Sequence, residues 1–151
     1  MIDQAAPDFT LPATGGQTIT LSALHGHPVV LYFYPKDNTP GCTTETQDFR
    51  DLHEQFAAAG ATVLGVSRDS LKSHENFKAK LGLPFELVSD SEETACGLYG
   101  VIKMKNMYGK QVRGIERSTF VIDAAGIVRH EVRGVKVPDH AQAMLKVVKS
   151  L

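Results

Sequence analysis

The strongest constraint on the fold of this chain is an uninterrupted apolar run at residues 29–34, with the sequence VVLYFY. Pro28 and Pro35 bound the run, and its β-branched and aromatic residues are typical of strands. Because no polar residue alternates with the apolar ones, both faces of such a strand must be covered. The run therefore predicts a central strand of an α/β sheet with helices packed on both sides.

A helix is predicted shortly after this strand. Thr39 suits the N-cap and Pro40 the first helical position, and Gly60 stands where a glycine after the last turn belongs. The apolar side of the helix would be formed by Phe49, Leu52, His53 and Phe56. This start places Cys42 in the first turn, where backbone N–H groups have no intrahelical partner.

The rest of the chain alternates between strand-like and helix-like segments. Strands are predicted at residues 8–11, 17–21, 62–67, 85–88, 118–122 and 127–132, and helices at 70–81, 91–99 and 138–148. The first two strands flank a Gly-Gly turn and form an N-terminal β-hairpin. The pattern predicts one thioredoxin-like α/β domain over residues 1–151, with a central mixed sheet flanked by helices.

The charge balance limits the partners that the chain can have. Its 151 residues include 16 Lys and Arg against 17 Asp and Glu, which leaves a formal net charge of −1. This argues against a nucleic-acid-binding surface and against attraction to anionic membranes. No apolar run approaches the ~18 residues of a membrane span, and the first residues show no secretory signal pattern. We therefore expect a cytoplasmic protein.

The two cysteines, Cys42 and Cys96, are too few for a disulfide scaffold and lack the close ligand spacing of a zinc site, so we expect no metal and no cofactor. The free amides and the positive end of the helix dipole would stabilise a thiolate at Cys42. Thr39 occupies the position at which a thioredoxin-type C-x-x-C site has its partner cysteine. Attack of a thiolate on a small substrate is therefore favoured over disulfide exchange. The alternative for Cys42 is a small buried residue without reactivity.

Three segments carry a specific pattern: YFYPKDNTPGCTTE at 32–45, KNMYGKQV at 105–112 and GIERSTFVID at 114–123. The first contains P-x-x-x-T-x-x-C, met by Pro35, Thr39 and Cys42, and the last contains Arg117 within R-S-T-F. Together they resemble the peroxiredoxins, and specifically the bacterioferritin-comigratory-protein group, also called peroxiredoxin Q. The resemblance extends through essentially the whole chain.

The resemblance implies a thiol-dependent peroxidase in which Cys42 attacks hydrogen peroxide or an organic hydroperoxide and becomes a sulfenic acid. Thr39 and the first-turn amides would hold the peroxide, and Arg117 would stabilise the thiolate and the developing oxyanion. Pro35 would shield the site from water, and Glu45 would orient Arg117. The structural alternatives are an N-cap for Thr39, a surface position for Arg117, a strand end for Pro35 and a solvated acid for Glu45.

Reduction of the sulfenic acid is the step at which the chain departs from the better-known members of the group. Many of them carry a second cysteine five positions after the first or in the next helix, and those positions here hold Gln47 and Lys78. Cys96 lies on the apolar side of a short predicted helix, which favours a buried structural role. We expect a one-cysteine cycle with thioredoxin, glutaredoxin or glutathione as the reductant. An atypical two-cysteine cycle with Cys96 as the resolving residue is the alternative.

Two further expectations concern association. Lys103, Lys105 and Lys110 surround a group of large apolar residues, for which a solvated loop is favoured over a rim of the active site or a dimer contact. The apolar residues are Met104, Met107 and Tyr108. We expect a monomer, with a weak dimer as the alternative. The second function considered is a non-enzymatic thioredoxin-fold module that senses redox state or binds partners through Cys42.

Overall fold

The computed structural model describes residues 1–151. Its strands are β1 (Thr10–Ala13), β2 (Gln17–Thr20), β3 (Val29–Phe33), β4 (Thr62–Ser67), β5 (Glu86–Ser89), β6 (Ile102–Met107), β7 (Lys110–Ile115), β8 (Ser118–Ile122) and β9 (Val128–Arg133). Its α-helices are α1 (Pro40–Asp51), α2 (His53–Ala58), α3 (Leu71–Leu81), α4 (Thr94–Leu98) and α5 (His140–Lys149). A 3₁₀ turn covers Leu21–Leu24. None of the helices has the length and apolar character that crossing a bilayer requires.

Seven strands form one mixed sheet in the order β2-β1-β5-β4-β3-β8-β9. Strands β3, β4 and β5 run parallel, and the other neighbouring pairs are antiparallel. Every residue of β3 is buried, because β3 lies inside the sheet between β4 and β8 and both of its faces are covered. The apolar run at residues 29–34 is therefore an interior strand, and the predicted mixed α/β sheet is confirmed.

Alternation along the strands divides the core into two apolar clusters, one on each side of the sheet. The cluster on one side, here called the Cys42 face, contains Cys42 together with Val30, Tyr32, Phe49 and Phe77. The cluster on the other side, here called the Cys96 face, contains Cys96 together with Leu31, Phe33, Phe120 and Tyr99. The seven-stranded sheet therefore lies between the two cysteines.

The helix boundaries follow local signals where those signals are strong. The Ser70 hydroxyl accepts a hydrogen bond from the Ser73 N–H at the start of α3, and Gly82 ends the helix in the left-handed conformation at φ 62°. The single helix predicted to begin at Pro40 and to end before Gly60 is wrong, because the helix breaks at Leu52 into α1 and α2. Helix α4 is also shorter than predicted.

Strands β6 and β7 form a separate two-stranded hairpin, so the prediction of a solvated loop around Lys103 to Lys110 is wrong. Tyr108 and Gly109 make the turn at φ 54° and 79°, the positive values that a two-residue hairpin turn requires. The Tyr108 side chain is fully exposed. A chain of alternating long polar and apolar residues around a glycine turn was the available signal for this hairpin.

Candidate active site

The site lies where β3 ends and α1 begins. Thr39 is the N-cap residue in extended conformation, and Pro40 supplies a first helical position that needs no N–H. The N–H groups of Gly41 and Cys42 belong to the first turn and have no acceptor within the helix. The Cys42 thiol is 1% exposed and stands beside these donors and the positive end of the helix dipole. This arrangement favours negative charge on the sulfur or on an atom bound next to it.

The Thr39 hydroxyl does not cap the helix. It donates to the backbone carbonyl of Lys36 at 2.7 Å, so its only proton is already committed. The oxygen lone pairs remain available on the half-buried side chain. Thr39 can therefore accept a hydrogen bond from a substrate O–H, and its orientation depends on where the Lys36 carbonyl lies.

Arg117 follows β7 and points inward to the start of α1. Its Nη2 donates to Cys42 Sγ at 3.4 Å and its Nη1 donates to Glu45 Oε1 at 2.8 Å. Gly41 makes the approach possible, since a Cβ there would lie only 3.1 Å from Nη2. The planar guanidinium thus contacts the sulfur and the carboxylate at the same time.

Glu45 is a buried carboxyl group one helical turn after Cys42, with a side chain 1% exposed. Burial raises its pKa from 4.5 to about 7, although the neighbouring Arg117 charge and hydrogen bond act in the opposite direction. Oε2 has no hydrogen-bond partner, so the carboxyl binds Arg117 through one oxygen. Glu45 is therefore a proton-binding group near neutral pH that also anchors the arginine.

No large cavity adjoins Cys42. Four surface cavities of about 260–370 Å³ occur elsewhere, and none of them is lined by Cys42, Thr39 or Arg117. A reactive sulfur with donors on two sides and no large pocket suits a small electrophile such as a peroxide O–O group.

Comparison with known proteins agrees with this chemistry. The model of the AhpC/TSA family matches residues 2–131, which is most of the chain. The chain belongs to the AhpC/TSA family. The peroxiredoxin Bcp of Xanthomonas campestris pv. campestris is 57% identical over 143 residues, covering 95% of this chain and 89% of that protein. The peroxiredoxin Bcp of Bacillus subtilis is 49% identical, and the match covers 99% of this chain and 96% of that protein.

Solved structures place the chain in the same group. A structure of the X. campestris bacterioferritin comigratory protein, described in connection with its alkyl peroxide reduction activity, has a TM-score of 0.90 at 56% identity, covering 94% of this chain and 90% of that chain. Peroxiredoxin Q of Xylella fastidiosa has a TM-score of 0.94 at 47% identity, covering 99% and 96%. The chain is a peroxiredoxin of the Bcp/peroxiredoxin Q group with a thioredoxin-like fold, and a thiol peroxidase.

The remaining residues singled out in this peroxiredoxin lie at different distances from the reactive centre. Pro35 is half-buried just after β3, at the start of the loop that leads to Cys42. Cys96 is fully buried in α4 on the Cys96 face, and its N–H donates to Asp90 Oδ2 at 2.7 Å. Burial and the Asp90 carboxylate raise the pKa of the Cys96 thiol well above its ordinary value. That thiol is a poor nucleophile, because the thiolate is the reactive form.

One group of residues near the site was not anticipated from the sequence. Asp37, Asp69 and His74 bring their side-chain ligand atoms within 4.8 Å of one another behind the Pro35–Thr39 loop. Carboxylates and a histidine are typical metal ligands. Here, however, both ring nitrogens of His74 are already hydrogen-bonded, and each carboxylate accepts hydrogen bonds from other donors. The group is therefore a hydrogen-bonded network. Nothing in the sequence connects Asp37 with a histidine 37 positions later.

Proposed function

We propose that the chain reduces hydrogen peroxide and alkyl hydroperoxides in a one-cysteine cycle centred on Cys42. The Cys42 thiolate attacks one peroxide oxygen, so that an S–O bond forms while the O–O bond breaks. Sulfur loses two electrons and becomes a sulfenic acid, and the departing oxygen leaves as an alcohol or water after taking up a proton. The observation that carries this proposal is the contact of Arg117 with both Cys42 Sγ and Glu45.

Each neighbouring group has one role in the proposed attack. Arg117 stabilises the thiolate before the reaction and the developing negative charge during it. Thr39 accepts a hydrogen bond from the peroxide O–H, because its own proton is held by the Lys36 carbonyl. The free N–H groups of the first turn donate to the peroxide oxygens. Glu45 keeps the guanidinium aimed at the sulfur, and Pro35 limits the access of water to the sulfenic acid.

The shape of the site supports a substrate held mainly at its O–O end. No large cavity adjoins Cys42, so the organic part of a hydroperoxide would remain outside the site. The X. campestris relative is described as having alkyl peroxide reduction activity. We extend that substrate class to this chain together with hydrogen peroxide, which presents the same O–O group without an organic part.

The positions of the two cysteines support resolution by an external thiol. Cys42 and Cys96 belong to clusters on opposite faces of the seven-stranded sheet. A disulfide needs Cα atoms within about 7 Å, and movement of the loop before α1 would not carry Cys42 through the sheet. Thioredoxin, glutaredoxin or glutathione therefore supplies the thiol that attacks the sulfenic acid. We further propose that the enzyme acts as a monomer.

The deciding experiment is the intact mass of the reduced protein after one equivalent of hydrogen peroxide, without added thiol. Gain of one oxygen is expected, with Cys42 as the modified residue. Loss of two hydrogens per chain would show a Cys42–Cys96 disulfide and overturn the one-cysteine cycle. An unchanged mass, under conditions in which free cysteine is also unchanged, would instead favour a non-enzymatic redox module and contradict the whole proposal.

A further inference from the structure

The loop that carries the peroxide-binding residues is anchored by a buried hydrogen bond between Asp37 and His74. Asp37 Oδ2 lies 2.8 Å from His74 Nδ1, and both side chains are at most 1% exposed. Asp37 also accepts from the Tyr34 hydroxyl at 2.6 Å and from the Ser73 hydroxyl at 2.8 Å. Tyr34 directly follows β3, and Ser73 and His74 lie on α3. Their hydrogen bonds to Asp37 therefore attach the loop to the sheet and to a helix on the Cys42 face.

The hydrogen bonds fix the orientation of the His74 ring. Its Nε2 lies 3.0 Å from the Val88 carbonyl oxygen, and its Nδ1 lies 2.8 Å from Asp37 Oδ2. Burial acts to raise the pKa of Asp37, but the hydrogen bonds from His74, Tyr34 and Ser73 hold it below its usual value. The His74 ring therefore joins β5 to Asp37 through its two nitrogens.

A short chain of bonds runs from this pair to the substrate side of the loop. The Asp37 N–H donates to Asp69 Oδ2 at 2.9 Å, which holds the peptide group between Lys36 and Asp37. The carbonyl of that same peptide group accepts the Thr39 hydroxyl. Displacement of Asp37 would therefore rotate the carbonyl that orients Thr39, three residues before the reactive sulfur.

We propose that Asp37 and His74 are positioning residues of the peroxidase: the hydrogen bond between them holds the Lys36–Asp37 peptide in the orientation that presents Thr39 to the peroxide. The inference rests on the proposed function of Thr39 and extends it to two residues that do not touch substrate. The pair should affect the attack on peroxide without affecting the reactivity of the sulfur itself. The reason is that Arg117 contacts the Cys42 sulfur directly, through a hydrogen bond that does not involve Asp37.

The test compares two reactions of Cys42 in the reduced protein. Attack on hydrogen peroxide needs the substrate aligned by Thr39, whereas alkylation by iodoacetamide reports only the thiolate and its accessibility. In His74→Gln and Asp37→Asn we expect the peroxide rate constant to fall about 10- to 100-fold, the size of effect that follows a small misplacement of a reacting group. The alkylation rate constant and the ultraviolet absorbance of the thiolate should stay within about twofold of the parent.

Two further variants separate positioning from loss of stability. Asp37→Asn/His74→Gln replaces the carboxyl group and the imidazole by two amides that can hydrogen-bond each other and leaves no unpaired buried charge, so its peroxide rate should lie closer to the parent than that of either single variant. Leu81→Ala weakens the packing of the same helix without touching the network, and its ratio of peroxide to alkylation rates should match the parent. Should either single variant not fold, Ser73→Ala removes one donor to Asp37 and should lower the ratio several-fold.

Three results would overturn the proposal. Unchanged peroxide rates in the folded variants would remove any role for the pair, and a parallel fall in both rates would assign it to the thiolate. A lowered ratio in Leu81→Ala would reduce the effect to general destabilisation. The proposed attack of Cys42 on peroxide is tested separately, because it fails if the parent itself reacts with peroxide no faster than free cysteine does.

Discussion

Replacing Arg117 with methionine tests the centre of the proposed site, because this one side chain contacts the sulfur and the buried carboxyl group. Arg117 Nη2 lies 3.4 Å from Cys42 Sγ, and at an effective dielectric constant of about 20 a unit positive charge this close stabilises the negative charge that develops beside the sulfur during attack by about 5 kcal/mol. The Glu45 carboxyl group on the other side of the guanidinium offsets part of this effect. The remaining ~3–4 kcal/mol of transition-state stabilisation corresponds to a roughly 10²–10³-fold faster reaction with peroxide, which the substitution removes.

The loss of the arginine also affects stability, since Glu45 would be left buried without its cation, at a cost of about 3–5 kcal/mol unless it takes up a proton. We therefore propose Arg117→Met/Glu45→Gln as the folded form in which to measure the chemistry. Arg117→Lys is the matched control, because it keeps the charge but cannot bond two partners through a planar fork. We expect it to be intermediate between the parent and the methionine variant.

The assay is stopped-flow loss of the Cys42 thiol with hydrogen peroxide in excess, at a pH where the parent is fully active. The reasoning would be refuted if Arg117→Met/Glu45→Gln reacted within about threefold of the parent, since the contribution of the arginine charge would then be far below ~3–4 kcal/mol. It would also be refuted if lysine and methionine at this position gave the same rate, because the positive charge would then be irrelevant.

Three more predictions use the same protein. Thr39→Val should slow peroxide attack about 10- to 100-fold while Thr39→Ser stays near the parent, as measured by the same stopped-flow assay; equal rates for the two variants would exclude the hydroxyl. Cys96→Ala should lower the free energy of unfolding by about 1 kcal/mol, as measured by urea denaturation, and leave peroxide turnover with an external thiol unchanged; lost turnover would point to Cys96 as the resolving residue. In Glu45→Gln the dependence of stability on pH should change. The pKa of Glu45 is raised from 4.5 to about 7, so the folded parent holds a proton that the unfolded chain releases, and the stability of the parent falls as the pH rises through that window. The free energy of unfolding of the variant minus that of the parent should therefore grow by up to ~3 kcal/mol between those pH values and then level off; a difference independent of pH would contradict the raised pKa.

Local signals predicted those parts of the fold that local physics determines. The apolar run ending at Tyr34, followed by Thr39 and Pro40, located both the interior strand and the start of α1, because burial on two faces and the N-terminal turn leave direct traces in the sequence. The break at Leu52 left no such trace. It joins two helical segments that share one apolar side, so the spacing of Phe49 and Phe56 reads as a single helix.

Those residues of the candidate site that lie close together in the sequence could be predicted. Thr39, Cys42 and Glu45 lie within seven residues, and Arg117 was found only through the family resemblance. The structure brings Arg117 to Cys42 and Glu45 across 75 and 72 positions. Asp37 and His74 escaped prediction because a buried polar pair between a loop and a distant helix has no characteristic spacing. In the sequence alone, these two residues cannot be distinguished from polar residues on the surface.

The division of the core by the sheet also decides where a second thiol would be useful. Gln47 and Lys78 stand where the family resemblance leads one to expect that thiol. They lie on α1 and α3, whose Phe49 and Phe77 pack on the Cys42 face. Cys96 is closed off on the other side. Whether two thiols can meet in this fold therefore depends on which side of the sheet each one occupies, and not on their separation along the chain. A cysteine introduced at position 47 or 78 would lie on the same side of the sheet as Cys42. The native Cys96 would first have to leave the core on the opposite side.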